Sequence, residues 1–141
     1  MVNIEWNGKM GFEATPPSNI KFMMDAYPEV GGEGLGPTPL EALLSSLGAC
    51  SAMDVISILR KKKQEVTAYR IEVTGERGPE GEYPRPYVSL SVKHIVEGEN
   101  LDEAAVARAV ELSDTKYCSV IATLRAAPSV SSSYEIKSLA K

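Results

Sequence analysis

Metal-binding side chains are scarce in this chain. A single histidine, His94, and two cysteines, Cys50 and Cys118, occur among 141 residues, whereas structural zinc normally takes four ligands, several of them at short spacing. No metal is therefore expected. Basic residues are also in deficit: 15 Lys and Arg stand against 19 Asp and Glu, for a formal net charge of −4. Nucleic-acid binding draws much of its affinity from neutralised phosphates, so that class of partner is excluded. Lys61, Lys62 and Lys63 form one basic cluster, but they directly follow a long apolar run and read as the solvated C-terminal end of a helix, where cations suit the dipole. The opening MVNIEWNGKM lacks the apolar run and small-residue cleavage site of a signal peptide, so a cytoplasmic location is expected. In that reducing compartment a cysteine pair is not a permanent bridge; if it reacts, it does so transiently, as a catalytic or sensing pair. The glycine-rich GGEGLG before Pro37 has neither the Lys-Ser/Thr pair nor the preceding strand of a phosphate cradle, and no cofactor is expected.

With 43% apolar and 24% charged residues, the chain has the balance of a globular protein and fits one domain over residues 1–141. Its least polar stretch is Gly36–Arg60. Between Leu40 and Leu59 only Glu41 and Asp54 are charged, and apolar residues fall on every side of a helical wheel, the pattern of a helix buried nearly all round. Its length suits a membrane span, yet two carboxylates, four serines and a glycine make a core helix the better reading and a membrane partner unexpected. Thr38 with Glu41 forms a capping box, and Pro39 takes the first helical position.

Short strand-like runs at Val2–Trp6, Met10–Ala14 and Ile20–Met24 precede this helix, with Asn7-Gly8 as a hairpin signal. Asp25–Gly36 reads as a mobile loop able to gate a pocket. After the helix, Thr67–Val73 and Val88–Val92 alternate as a long hairpin. Asn100 with Glu103 caps an amphipathic helix running to about Asp114, Ser119–Ala127 is a last helix, and Val130–Lys137 a final strand. The order predicts an α+β fold with helices against clustered strands. A helix apolar on all sides needs more cover than one small sheet supplies, which points to a homodimer.

His94, at the end of an alternating strand, reads as a surface or half-buried strand residue. Cys50 lies inside the apolar helix, where a thiol ordinarily packs as a small hydrophobe. Cys118 opens the last predicted helix, and free N–H groups there, with Lys116 nearby, favour a thiolate. Asp54, one turn after Cys50, disfavours a thiolate at Cys50 when no cation screens it.

The segment GPTPLEALLSSLGACSAMDVISILRKK, followed much later by LSDTKYCSVIATL, resembles the OsmC/Ohr family of osmotically induced and organic hydroperoxide resistance proteins, and the likeness covers nearly the whole chain. The resemblance implies strand-rich sheets wrapped around long central helices in an intertwined homodimer. It also implies a thiol peroxidase acting on organic hydroperoxides, with Cys50 peroxidatic, Cys118 resolving, and a dithiol reductant such as a lipoylated protein. Two features depart from the family pattern. Active members use an N-terminal arginine, but no arginine precedes Arg60, which leaves Lys9, Lys21, Arg77 and Arg85 as alternatives for the activating cation. Their glutamate directly follows the helix-opening proline, whereas here it is one place later, at Glu41. Nine residues before Cys50, Glu41 lies about 13.5 Å away along a straight helix and on its opposite side; it either acts in a site or only caps the helix. A sensing or small-molecule-binding protein without efficient turnover is the alternative function, and thiol chemistry on another electrophile a third.

Overall fold

A computed structural model of the protein describes residues 1–137. Strands β1 (Asn3–Trp6), β2 (Phe12–Thr15) and β3 (Phe22–Met24) form an antiparallel sheet in that order. The second strand starts later than its composition predicts because the Asn7 side chain holds a turn, its Oδ1 accepting from the Lys9 and Gly11 N–H groups at 2.9 and 3.0 Å. Ile4, Trp6, Phe12 and Phe22 remain well exposed on this sheet.

The following loop is not the loose segment expected. Asp25, only 3% exposed, accepts from the backbone of Ala26 at 2.7 Å and of Glu33 and Leu35 at 3.2 Å each. These donors, the Ala26 N–H foremost, hold its carboxyl below the usual range. At Gly32 a side chain would collide with the Ala26 carbonyl, 1.8 Å from where a Cβ would stand, so the tight wrap around Asp25 requires glycine.

Helix α1 (Pro39–Lys61) starts as its sequence dictates: Thr38 Oγ1 accepts from the Glu41 N–H, and the Glu41 carboxylate accepts from the Thr38 N–H at 2.8 Å. Strands β4 (Glu65–Arg77) and β5 (Tyr87–Glu99) make a long antiparallel hairpin. Gly48 lets α1 lie close on β4; a Cβ there would stand 2.8 Å from Val73 Cγ2. Helix α2 (Glu103–Leu112) follows, then a π-helical turn (Ser113–Tyr117) and helix α3 (Ser119–Ala126). The main core joins Val55 and Leu59 of α1 to Ala109 of α2, with Val66, Tyr69 and Val96 of the hairpin around them.

Three expectations are corrected. The α2 cap is Asp102, whose side chain accepts from the Ala104 N–H at 3.0 Å, while Asn100 sits at φ 52° in the turn before it. Val130–Lys137 forms no strand: it is exposed and pairs with no edge among the described residues. Burial of α1 all round is not reached within one chain either. Leu47, Gly48, Ser51, Val55 and Leu59 are its buried positions, and Met53 is 69% exposed. By length and composition alone α1 could cross a bilayer, but in the fold β4, α2 and α3 pack on it.

Candidate functional site

The fold brings the two cysteines together. Cys50, on α1, packs in a second apolar cluster with Leu47, Cys118 and Ile121, closed by Val73 of β4 and Leu90 and Val92 of β5. Both are free thiols, Cys50 partly exposed and Cys118 buried. Cys118 occupies the N-cap of α3, and the Ile121 N–H points at its sulfur at 3.4 Å. That donor favours the thiolate, as the sequence leads one to expect, but burial outweighs it and Cys50 adds to the effect, so the Cys118 thiol is pushed up rather than down. Lys116 contributes nothing visible, since its ammonium lies over the Tyr117 ring, 5.3 Å from the centroid.

Beside the cysteines a cavity of about 600 Å³ opens between α1, β5, α2 and α3. Leu43, Leu47, Leu90, Val92 and Ile121 supply apolar walls, and Ser51, His94 and Asp114 a polar end. Four of the apolar residues that line it or pack on the cysteines are the same: Leu47, Leu90, Val92 and Ile121. The cavity and the thiols therefore share a wall.

A chain of hydrogen bonds runs from that polar end into the core. The Tyr69 hydroxyl lies 2.6 Å from His94 Nδ1, His94 Nε2 lies 3.3 Å from Ser51 Oγ, Ser51 Oγ lies 3.1 Å from Ser113 Oγ, and Ser113 donates to Asp54 Oδ2 at 3.0 Å. Its direction is determined by chemistry. Burial raises the Tyr69 hydroxyl well above its ordinary range, so Tyr69 keeps its proton and donates to Nδ1. Burial also lowers His94, with Asp114 opposing, so the ring is neutral and its one proton sits on Nε2, directed to Ser51. Ser51 then donates to Ser113, and Ser113 to the carboxylate. Each hydroxyl and ring nitrogen in this series thereby has a partner, and among the described residues no buried side-chain nitrogen or oxygen lacks one. His94 is half-buried on its strand, as expected, but its membership of this chain was not visible in the sequence. Ser51, Ser113 and Tyr69 were missed too, because ordinary residues at such separations carry no motif.

Glu41 stands apart from the thiols. Besides the cap it accepts from the Tyr27 hydroxyl at 2.5 Å, and the Thr38 N–H, then Tyr27, hold its carboxyl low. It lines a shallow groove on another face of α1 together with Arg70, a cation that the sequence did not single out. The four cations that it did are engaged elsewhere. Lys9 pairs with Glu33 at 3.4 Å and Lys21 with Glu13 at 3.6 Å, Arg77 donates to the Arg85 carbonyl, and Arg85 to that of Gly78 at 2.8 Å. No cluster of three or more His, Cys, Asp or Glu suited to a metal occurs among the described residues.

With this arrangement in view, residues 32–133 match the family of OsmC-like proteins. The chain belongs to that family. It is 39% identical over 134 residues to protein YhfA of Escherichia coli, covering 94% of this chain and 95% of YhfA. A solved structure from Aquifex aeolicus superimposes with a TM-score of 0.75 at 33% identity, over 89% of this chain and 86% of that one. An organic hydroperoxide resistance protein from Legionella pneumophila shares the fold, at a TM-score of 0.58 and 15% identity over 89% and 88% of the two chains. The α+β architecture, a long helix with small antiparallel sheets, is thus the OsmC-like fold. In this OsmC-like chain the two cysteine segments, far apart in sequence, meet beside an apolar cavity.

Proposed function

We propose that this OsmC-like protein is a thiol-dependent peroxidase that reduces organic hydroperoxides, with Cys50 peroxidatic and Cys118 resolving. The observation that carries the reading is the packing of Cys50 against Cys118 in one cluster whose walls also line the 600 Å³ cavity. An apolar cavity favours an alkyl hydroperoxide over hydrated hydrogen peroxide, because the alkyl part leaves water on binding. The Cys50 thiolate attacks the terminal peroxide oxygen, the O–O bond breaks, and the alkoxide takes up a proton and leaves as the alcohol. Cys50 is then a sulfenic acid. The Cys118 thiol gives up its proton and attacks the Cys50 sulfur; hydroxide leaves with that proton as water, and a disulfide forms. A dithiol, such as a lipoylated protein, returns both cysteines to thiols and is itself oxidised.

The working unit in this reading is a homodimer in the cytoplasm. The exposed faces of α1 and of the β1–β3 sheet supply the apolar surface that a second copy would bury. Glu41 and the activating cation then belong to a site completed across that dimer. A sensing or binding protein without turnover is the second reading, favoured by one observation: Lys9, Lys21, Arg77 and Arg85 are each engaged away from the thiols within the chain.

Mass spectrometry after one equivalent of cumene hydroperoxide tests the proposal. A Cys50–Cys118 disulfide is expected, absent in Cys50→Ser, which should also lose peroxide consumption. Consumption by Cys50→Ser at the wild-type rate would sink the assignment. A single stoichiometric oxidation with no turnover on added dihydrolipoamide or dithiothreitol would favour the sensing reading.

A further inference from the structure

Ser113 is fully buried, with 0% exposure, and it touches both cysteine-bearing segments. Its hydroxyl reaches α1 on either side of the turn that follows Cys50: Ser51 Oγ at 3.1 Å and Asp54 Oδ2 at 3.0 Å. Its carbonyl accepts from the Cys118 N–H at 3.0 Å. That last bond closes the π-helical turn Ser113–Tyr117, a geometry that adds one residue to a helical turn and recurs at functional sites. One residue therefore ties the backbone of Cys118 to the helix that carries Cys50.

We propose that Ser113 is a positioning residue for disulfide closure: it holds Cys118 at the distance and angle from which its sulfur attacks an oxidised Cys50. The proposal deepens the peroxidase reading and rests on it for the identity of the two cysteines. Disulfide bonding is strict in geometry, needing Cβ atoms about 3.5–4.5 Å apart and a dihedral near 90°, so a small drift of one segment is costly to closure. It is not costly to the preceding step, in which Cys50 meets the peroxide and Cys118 takes no part. Removing the Ser113 hydroxyl also strips the Asp54 carboxylate of its buried donor and leaves Ser51 without an acceptor, which loosens the π turn at its first residue. Ser51 and His94, which line the polar end of the cavity, extend the tie to it.

The test is a partition experiment on full-length Ser113→Ala. Reduced protein is mixed with one equivalent of cumene hydroperoxide with and without dimedone, which traps sulfenic acid, and quenched samples are weighed by mass spectrometry. Peroxide consumption is expected within twofold of wild type, closure of the Cys50–Cys118 disulfide at least tenfold slower, and the trapped sulfenic acid correspondingly enriched. Closure within twofold of wild type overturns the proposal, and so does an equal slowing of both steps, which is what general loosening would give. Should Ser113→Ala not fold, Ser51→Ala takes its place and, because Ser51 also lines the cavity, is judged on the ratio of the two rates: closure slowed at least fivefold more than peroxide consumption supports the proposal, and an equal slowing, or closure within twofold of wild type, overturns it. If peroxide leaves the wild-type thiols untouched, the peroxidase reading has failed separately. Diamide, which takes two electrons from a dithiol to give a disulfide and a hydrazine, then supplies the closure rates on which Ser113 is judged.

Discussion

The rate of disulfide closure should climb with pH well past neutrality. In the proposed reaction the attacking species at this step is the Cys118 thiolate, and burial pushes that thiol above its ordinary value of 9.0. At the ordinary value only about 1% of the thiol is ionised at pH 7, and a raised value makes the fraction smaller. Closure is therefore expected to accelerate about tenfold from pH 7 to 8 and to go on rising to pH 9, with no plateau in that range. Part of the upward push comes from Cys50 itself and disappears once Cys50 is a sulfenic acid, but the leading cause, desolvation, stays. The Ile121 N–H at 3.4 Å from the sulfur is a long, weak donor and does not reverse it. The assay is rapid-quench alkylation after a pulse of cumene hydroperoxide, with the disulfide quantified by mass spectrometry at each pH, in wild type and in Ile121→Pro, which lacks that N–H. A plateau below pH 8.5 would refute the reasoning, because it would mean that the helix N-terminus governs the thiol and burial does not.

Two further predictions concern the fold. Leu59 is fully buried against Val55, Ala109 and the hairpin, so Leu59→Ala should lower the unfolding free energy by about 2–5 kcal/mol, read as a shift in the urea midpoint. His94 gives a pH dependence whose sign follows from its depressed titration. As pH falls through about 6.5 the unfolded chain takes up a proton before the folded one, and a protonated ring no longer accepts from Tyr69, at 2.6 Å. Stability is complete above that pH and lost below it until the folded His94 also protonates. The fall in urea midpoint between pH 7 and 5.5 should be smaller in His94→Gln, and an equal fall would assign the loss to other groups.

The parts of the fold that were legible in the sequence rest on local chemistry. Thr38 and Glu41 bond across one turn, Pro39 fits the first helical position, and Val and Ile alternate along the hairpin; each depends on residues a few places apart. The π turn at Ser113–Tyr117 was not legible, because it differs from an α-helix by one residue per turn and is stabilised by a distant helix through Ser51 and Asp54. The Asp25 loop failed as a prediction for a related reason: glycine and proline announce irregular backbone, but they do not say whether a buried carboxylate will organise it. Val130–Lys137 has strand alternation and no edge to join, so composition alone overstates it. The cysteines themselves were legible only as a resemblance, since spacing along the chain does not say which residues meet.

The polar chain explains how a helix with a carboxylate one turn from Cys50 can tolerate it. Asp54 would oppose a neighbouring thiolate if it faced it bare, and no cation from this chain is bonded to it among the described residues. Its donor is instead a neutral hydroxyl, itself fed by a neutral hydroxyl, a neutral imidazole and a neutral phenol. Such a chain satisfies the carboxylate and draws Oδ2 toward Ser113, on α2's side of α1, without placing a positive charge in the core. A fixed cation at the same place would attract the thiolates as well and would blur the difference between a partly open Cys50 and a buried Cys118. Within one chain, neutral donors leave that difference to burial: Cys50 partly open, Cys118 closed. In the proposed reaction, which sulfur reacts first is then a matter of access, and the packing around Leu47 and Ile121 favours Cys50 before Cys118.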